Sequence, residues 1–230
     1  MSLYTLGDIH GDLEIKALFD INFPAGKSLT KDDYVLICGD FGLIFDHTSS
    51  GKTEQKWIDW LTHRPWTTLF IDGNHECHPR LLALPTKEMF GSEVGIVSDS
   101  IFHLKRGNIY NIDSNKCFCF GGADSIDKDY RIQGISWWPE EIPNRKEFNL
   151  GLKNLIMSKW EVDYVFTHTA PHSVLPEFYK SYKPNDPTQK MLDEYYEKLK
   201  FKHWYCGHFH VNKDFADNVS CLYHKIVKVF

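Results

Sequence analysis

Five short β-type runs in this chain each give way to a glycine or threonine followed by side chains that bind cations or transfer protons. The clusters are Gly7-Asp8-Ile9-His10-Gly11, Gly39-Asp40-Phe41-Gly42, Gly73-Asn74-His75-Glu76, Thr167-His168-Thr169-Ala170 and Gly207-His208-Phe209-His210. In open α/β sheets, ligands bind just beyond the carboxyl ends of parallel strands, so five such loops can share one crevice. Between the strands lie amphipathic segments predicted as helices over residues 12–21, 54–61, 146–160 and 188–200. The close-set apolar runs 101–104, 109–112 and 116–120 predict antiparallel pairing in the middle of the chain. This alternation predicts a layered α/β fold with two sheets between helices, in a single domain spanning residues 1–230.

Composition removes several alternatives. No apolar run approaches the roughly 18–20 residues of a membrane span, so no membrane association is expected. The N-terminus runs into a strand without a basic segment or cleavage site. The six cysteines form no disulfide framework and four lie in apolar strand-like runs, which fits reduced thiols and a cytoplasmic location. With 26 Lys+Arg against 31 Asp+Glu, the net charge of −5 gives no basis for strong binding to duplex nucleic acid.

The clusters supply seven donors: the carboxylates of Asp8 and Asp40, the imidazoles of His10, His168, His208 and His210, and the amide oxygen of Asn74. On an extended stretch, residues two apart share a face, which pairs Asp8 with His10 and His208 with His210. Seven donors exceed a tetrahedral site, and hard oxygen mixed with imidazole, without thiolate, suits two divalent ions: manganese first, with iron, zinc, nickel or cobalt as the others. If Asp40 bridges, each ion receives four protein ligands. Two such ions against two carboxylates and a hydroxide leave about one positive charge, which favours an anionic, phosphate-bearing substrate. His75, next to Asn74, is the free imidazole placed to protonate a leaving group.

In this order, D-x-H, GD, GNHE, H and GHxH resemble the calcineurin-like metallophosphoesterase superfamily, over residues 7–210. The resemblance implies a four-layer αββα sandwich, two mixed sheets flanked by helices, with a dinuclear centre. One ion then takes Asp8, His10, Asp40 and His210, and the other Asp40, Asn74, His168 and His208. His75 falls at the position of the general acid or transition-state stabiliser, and Asn74 also at a substrate contact. The chain departs from the protein phosphatases of that superfamily, whose GDxxDRG motif is here Gly39-Asp40-Phe41-Gly42-Leu43-Ile44-Phe45. The missing Asp and Arg favour a phosphodiesterase or nucleotide-type substrate over a serine/threonine phosphoprotein or another phosphomonoester. A scaffold that keeps the fold without catalysis is the alternative of another class. Asp46 is a stand-in for the missing carboxylate that would orient His75.

The polar segment 121–131 after the middle strands resembles one in small bacterial and phage members of the superfamily. Within it, Arg131 or Lys128 is a candidate for the lost phosphate contact. Trp137-Trp138-Pro139 offers either a rim that stacks on a nucleobase or a loop packed over the sheet edge. Histidines outside the clusters, such as His63, His103, His203 and His224, read as ordinary hydrogen-bonded or exposed residues.

Overall fold

The computed structural model describes residues 1–230, the side chain of Tyr182 excepted. Its strands are β1 (Leu3–Leu6), β2 (Tyr34–Cys38), β3 (Thr67–Ile71), β4 (Thr86–Met89), β5 (Ser92–Ser98), β6 (Ile101–Leu104), β7 (Asn108–Ile112), β8 (Asn115–Phe120), β9 (Tyr164–Thr167), β10 (His203–Cys206), β11 (Lys213–Ala216), β12 (Val219–Cys221) and β13 (Val227–Lys228). The α-helices are α1 (Lys52–Thr62), α2 (His78–Leu82), α3 (Arg145–Met157), α4 (Glu177–Tyr182) and α5 (Pro187–Tyr196).

The strands form two mixed sheets, one of seven in the order β13-β1-β2-β3-β6-β5-β4 and one of six in the order β11-β12-β10-β9-β8-β7. β1, β2, β3 and β6 are parallel in the first, and β8, β9, β10 and β12 in the second. Antiparallel strands close the edges. Between the facing sheets lies a dry core of Leu36, Cys38, Leu69, Ile71, Tyr110, Cys117, Cys119 and Phe166. On the outer face of the first sheet, Ile58 and Leu61 of α1 join Ile15 and Leu18. On that of the second, Phe148 and Leu155 of α3 meet Leu192 and Tyr195 of α5. This is the αββα arrangement, in which each sheet buries both faces and so reads as continuous apolar runs.

Local signals set the helix ends. Asn144 and Glu147 form a reciprocal capping box on α3. Asp186 caps α5 by accepting the N–H groups of Thr188 and Gln189, with Pro187 at the first helical position.

Two expectations are corrected. Residues 12–21 hold only a 3₁₀ turn, Ile15–Leu18, because Glu14 is drawn back to His10 and Tyr223 instead of lying along a helix face. The three middle strands are not one antiparallel set. β6 lies parallel to β3 in the first sheet, and only β7 and β8 pair as a hairpin, in the second. The crossover between them is pinned by buried Arg106, which reaches Asp72 just after β3.

Candidate metal centre

All five clusters leave the carboxyl ends of parallel strands β1, β2, β3, β9 and β10, and backbone hydrogen bonds zip the loops together. Ile9 and His10 donate N–H to the Asp40 carbonyl at 3.2 and 2.9 Å. Asn74 and His75 donate to Asp40 Oδ1, each at 2.8 Å. His208 N–H donates to Asp8 Oδ1 at 2.9 Å. Buried Glu76 ties the second loop to the third, accepting from Phe41 N at 2.6 Å and Gly73 N at 2.8 Å. Burial and the neighbouring Asp40 and Asp72 push the Glu76 carboxyl up to about 8. His10, Asp40, His208 and His210 all sit at positive φ (38°, 44°, 68° and 50°), a strained backbone that persists where surrounding structure enforces it. Two glycines leave the space: a Cβ on Gly39 would lie 2.1 Å from His168 Nδ1, and one on Gly207 would lie 2.1 Å from Asp8 Oδ1.

In the inner half, His168 is fully buried and donates Nδ1–H to the Cys38 carbonyl at 2.9 Å. That bond leaves the lone pair of the neutral ring on Nε2. Facing it are Asn74 Oδ1 at 3.0 Å, His208 Nδ1 at 3.2 Å and Asp40 Oδ2 at 3.4 Å. Asn74 Nδ2 donates to Ser125 Oγ at 3.0 Å, which turns the amide oxygen inward. A cation held at about 2.0–2.2 Å spaces its ligands about 3.0–3.6 Å apart, and each of these three distances to His168 Nε2 falls in that range.

In the outer half, His10 Nε2 lies 3.2 Å from the same Asp40 Oδ2. His210 Nε2 lies 3.1 Å from Asp8 Oδ2. Asp8, His10 and His210 form one possible ligand group, Asp8, Asp40 and His168 a second, and His10, Asp40 and His75 a third. His10 donates Nδ1–H to Glu14 at 2.9 Å, and the Tyr223 hydroxyl donates to the other Glu14 oxygen at 2.9 Å. The Tyr223 ring also stacks on His210 with centroids 4.8 Å apart.

The electrostatics call for positive charge at this point. Burial alone would lower His168 and His10, yet the Asp40 carboxylate facing both pushes them up to about 10 and about 9. His168 and His75 in turn hold Asp40 well below the ordinary carboxylate range against the cost of burial. His208 goes the other way, to about 3, through burial and the neighbouring His168. A buried carboxylate faced by two imidazoles, a strained backbone at the candidate ligands and imidazoles that attract protons all fit a site built for cations.

Comparison with protein-family models gives a match to calcineurin-like phosphoesterase over residues 1–212. The chain belongs to the calcineurin-like phosphoesterase family. No curated protein matches the sequence. Family membership makes this a metal-dependent hydrolase of phosphate esters, with the donor groups above as the candidate ligands. Among the described residues, no helix is long and apolar enough to cross a membrane.

In this phosphoesterase His75 borders the cluster, its ring edge-on to His10 with centroids 5.1 Å apart. Arg131 Nη2 lies 2.9 Å from His75 Nε2 and is 2.7 Å from Asp127 Oδ2. Burial, offset in part by Asp40, and then the Arg131 charge hold His75 below its usual value. Asp46 does not take the orienting role expected of it. It closes its own turn by accepting from Thr48 N at 3.1 Å and Thr48 Oγ1 at 3.0 Å. Of the two readings of Trp137-Trp138-Pro139, the packed loop fits: Trp138 is buried, Trp137 lies under Lys128 Nζ, 5.0 Å from its ring centre, and neither lines the cavity beside the cluster. The cavity beside the cluster, about 430 Å³, is instead walled by Ile126, Phe178, Tyr179 and Phe209. Sequence reasoning missed Glu14, Tyr223, Ser125 and the Cys38 carbonyl as the groups that aim the ligands. Only Glu14, four residues after His10, left a local trace.

Proposed function

We propose that this protein hydrolyses phosphate esters at a dinuclear centre, with one cation held by Asp8, His10, Asp40 and His210 and the other by Asp40, Asn74, His168 and His208. The observation that carries this reading is Asp40 Oδ2, within 3.2 Å of His10 Nε2 and 3.4 Å of His168 Nε2, an oxygen shared by two sets of lone pairs. The mixed carboxylate, amide and imidazole donor set suits manganese, iron or zinc, and manganese is the first ion to test. When bound, such a pair activates water and neutralises phosphoryl oxygens.

The chain's own residues supply the rest. Asp40, fixed by two backbone N–H groups, keeps the two halves in register. His75 delivers the proton to the departing oxygen. Arg131, already against His75, contacts the phosphate from the same side. The absent GDxxDRG pair and the −5 charge support a diester or nucleotide-type substrate over a phosphoprotein or a duplex. Pairing of β13 with β1 supports residues 1–230 acting as a single domain, and six buried free thiols support a reducing, cytoplasmic setting.

The test is elemental analysis followed by rates on p-nitrophenyl and bis-p-nitrophenyl phosphate. His75→Ala should retain metal and lose about 10²–10⁴ in turnover of a poor-leaving-group ester. Wild-type rates from that variant would remove His75 from the mechanism.

A further inference from the structure

The cavity beside the cluster has a lopsided chemistry. One wall is a run of rings that starts at the metal centre. His208 meets Phe209 at 5.1 Å between centroids, Phe209 meets Tyr179 at 5.0 Å, and Tyr179 meets Phe178 at 5.3 Å. Lining the same cavity is Ile126, from the segment after β8. Ile126 and Phe178 are 64% and 63% exposed, so both jaws of the mouth present apolar surface to water. An apolar and aromatic lining beside a few polar groups is what ligand pockets present to the flat or apolar part of a ligand.

The cavity's charges point the same way. Its two basic side chains, Arg131 and Lys183, are each already neutralised. Arg131 is paired with Asp127 at 2.7 Å, and Lys183 with Asp124 at 3.1 Å. Lys183 also donates to the Ser125 carbonyl at 2.9 Å. The positive charge available to a phosphate is therefore confined to the cluster and the adjoining Arg131, with none left over for a second phosphate farther out. A second or third phosphate reaching outward would meet Asp127 and rings, not free cations.

We propose that this cavity seats a flat ring system on the alcohol side of a single phosphate, so that the substrate is a nucleoside-sized ester carrying one phosphate and not a polyphosphate. This rests on the phosphoester-hydrolase reading above and names its substrate class. The ring lies against Phe178 and Tyr179 with Ile126 closing over it, while the phosphate stays at the cluster. Stacking on aromatic side chains tolerates any base because every base offers a π face.

The test is calorimetric titration of the Mn²⁺-loaded full chain with hydrolysis-proof 5′-phosphonates, one of adenosine and one of ribose alone. These differ only in the ring. The adenosine compound should bind about tenfold more tightly. Phe178→Ala and Ile126→Ala, both at exposed positions where folding is not at stake, should each narrow the gap to about threefold or less, and Phe178→Trp should restore it. Adding a second phosphate to the adenosine compound should gain less than about threefold, with metal in excess. Equal affinity for the two phosphonates, a gap that survives both alanine variants, or a gain of tenfold or more from the second phosphate each overturns the proposal. Turnover of p-nitrophenyl esters is read separately. Ring preference without turnover sinks the hydrolase reading and leaves this one, and turnover without ring preference does the reverse.

Discussion

The two halves of the cluster share Asp40 but are held by different means. The inner half hangs from the core, with His168 fully buried and tied to the Cys38 carbonyl, and Asn74 aimed by buried Ser125. The outer half hangs from the surface. His10 is aimed by Glu14, His210 is 49% exposed, and Tyr223 braces both from a loop near the end of the chain. Fixed ligands lose little freedom on binding and exposed ones lose more. The inner cation should therefore bind more tightly and exchange more slowly than the outer. The shared carboxylate is the one place where the difference disappears.

Asp40→Asn tests that shared point and should have the largest effect. It removes the charge that faces both His10 and His168, so metal content should fall in both halves and turnover should drop to that of the metal-free protein. Elemental analysis with parallel rates checks this. One ion retained at full affinity would mean that Asp40 serves a single half. Next in size are the two imidazole deletions. His168→Ala should abolish inner binding, while His210→Ala should weaken only the outer ion, by more than the roughly 10–100-fold typical of an outer-shell partner. Equal losses from the two variants would erase the distinction between core-held and surface-held ligands.

Acid should sharpen the comparison in a graded way. In the metal-free protein His10 and His168 are raised to about 9 and about 10, so at neutral pH each half holds a proton that a cation must expel. Affinity should thus rise with pH, by about tenfold per unit for each proton released. Stability moves in the opposite sense. A histidine raised above its unfolded value of about 6.5 stabilises the metal-free fold fully below that pH and loses this as pH climbs through the folded value. The Tm of the metal-free protein should fall between pH 7 and 10, with the outer contribution lost first, near 9, and the inner near 10. Metal-loaded protein should show neither step. A flat profile in the metal-free protein would contradict the charge reading of the cluster.

How far the sequence alone reveals these halves follows from chain distance. The candidate ligands stood out because each lies within a residue or two of a β-run, and their chemistry is carried by neighbours such as Asp8 with His10. The core strands were legible because both faces are buried: Tyr34–Cys38 and Thr67–Ile71 are covered throughout. β4 was missed because Thr86–Met89 is a mostly exposed edge with no apolar pattern. The groups that aim the ligands were hidden for a different reason. Tyr223 lies 209 residues from Glu14, and Cys38 acts through a backbone carbonyl that every residue possesses. Trp137 and Trp138 left two readings open because aromatic character says nothing about which side of a loop faces the ligand.

The smallest effect belongs to a single hydroxyl, and it is the most direct probe of how the outer half is built. Tyr223→Phe keeps the ring that stacks on His210 but removes the O–H that donates to Glu14 at 2.9 Å. Glu14 would still accept from His10 Nδ1, with one restraint fewer on its second oxygen. Outer-shell partners of a metal ligand are typically worth 10–100-fold in affinity, and this hydroxyl acts one bond further out, so a loss of about tenfold or less is expected at the outer site. The inner site, which shares no hydrogen bond with Tyr223, should be unchanged. Tyr223→Ala should cost more than Tyr223→Phe, because it also frees the exposed His210 ring. Calorimetry that resolves two binding steps separates these outcomes. If Tyr223→Phe weakened both steps equally, the halves would be mechanically coupled through Asp40, and the division into core-held and surface-held cations would be wrong.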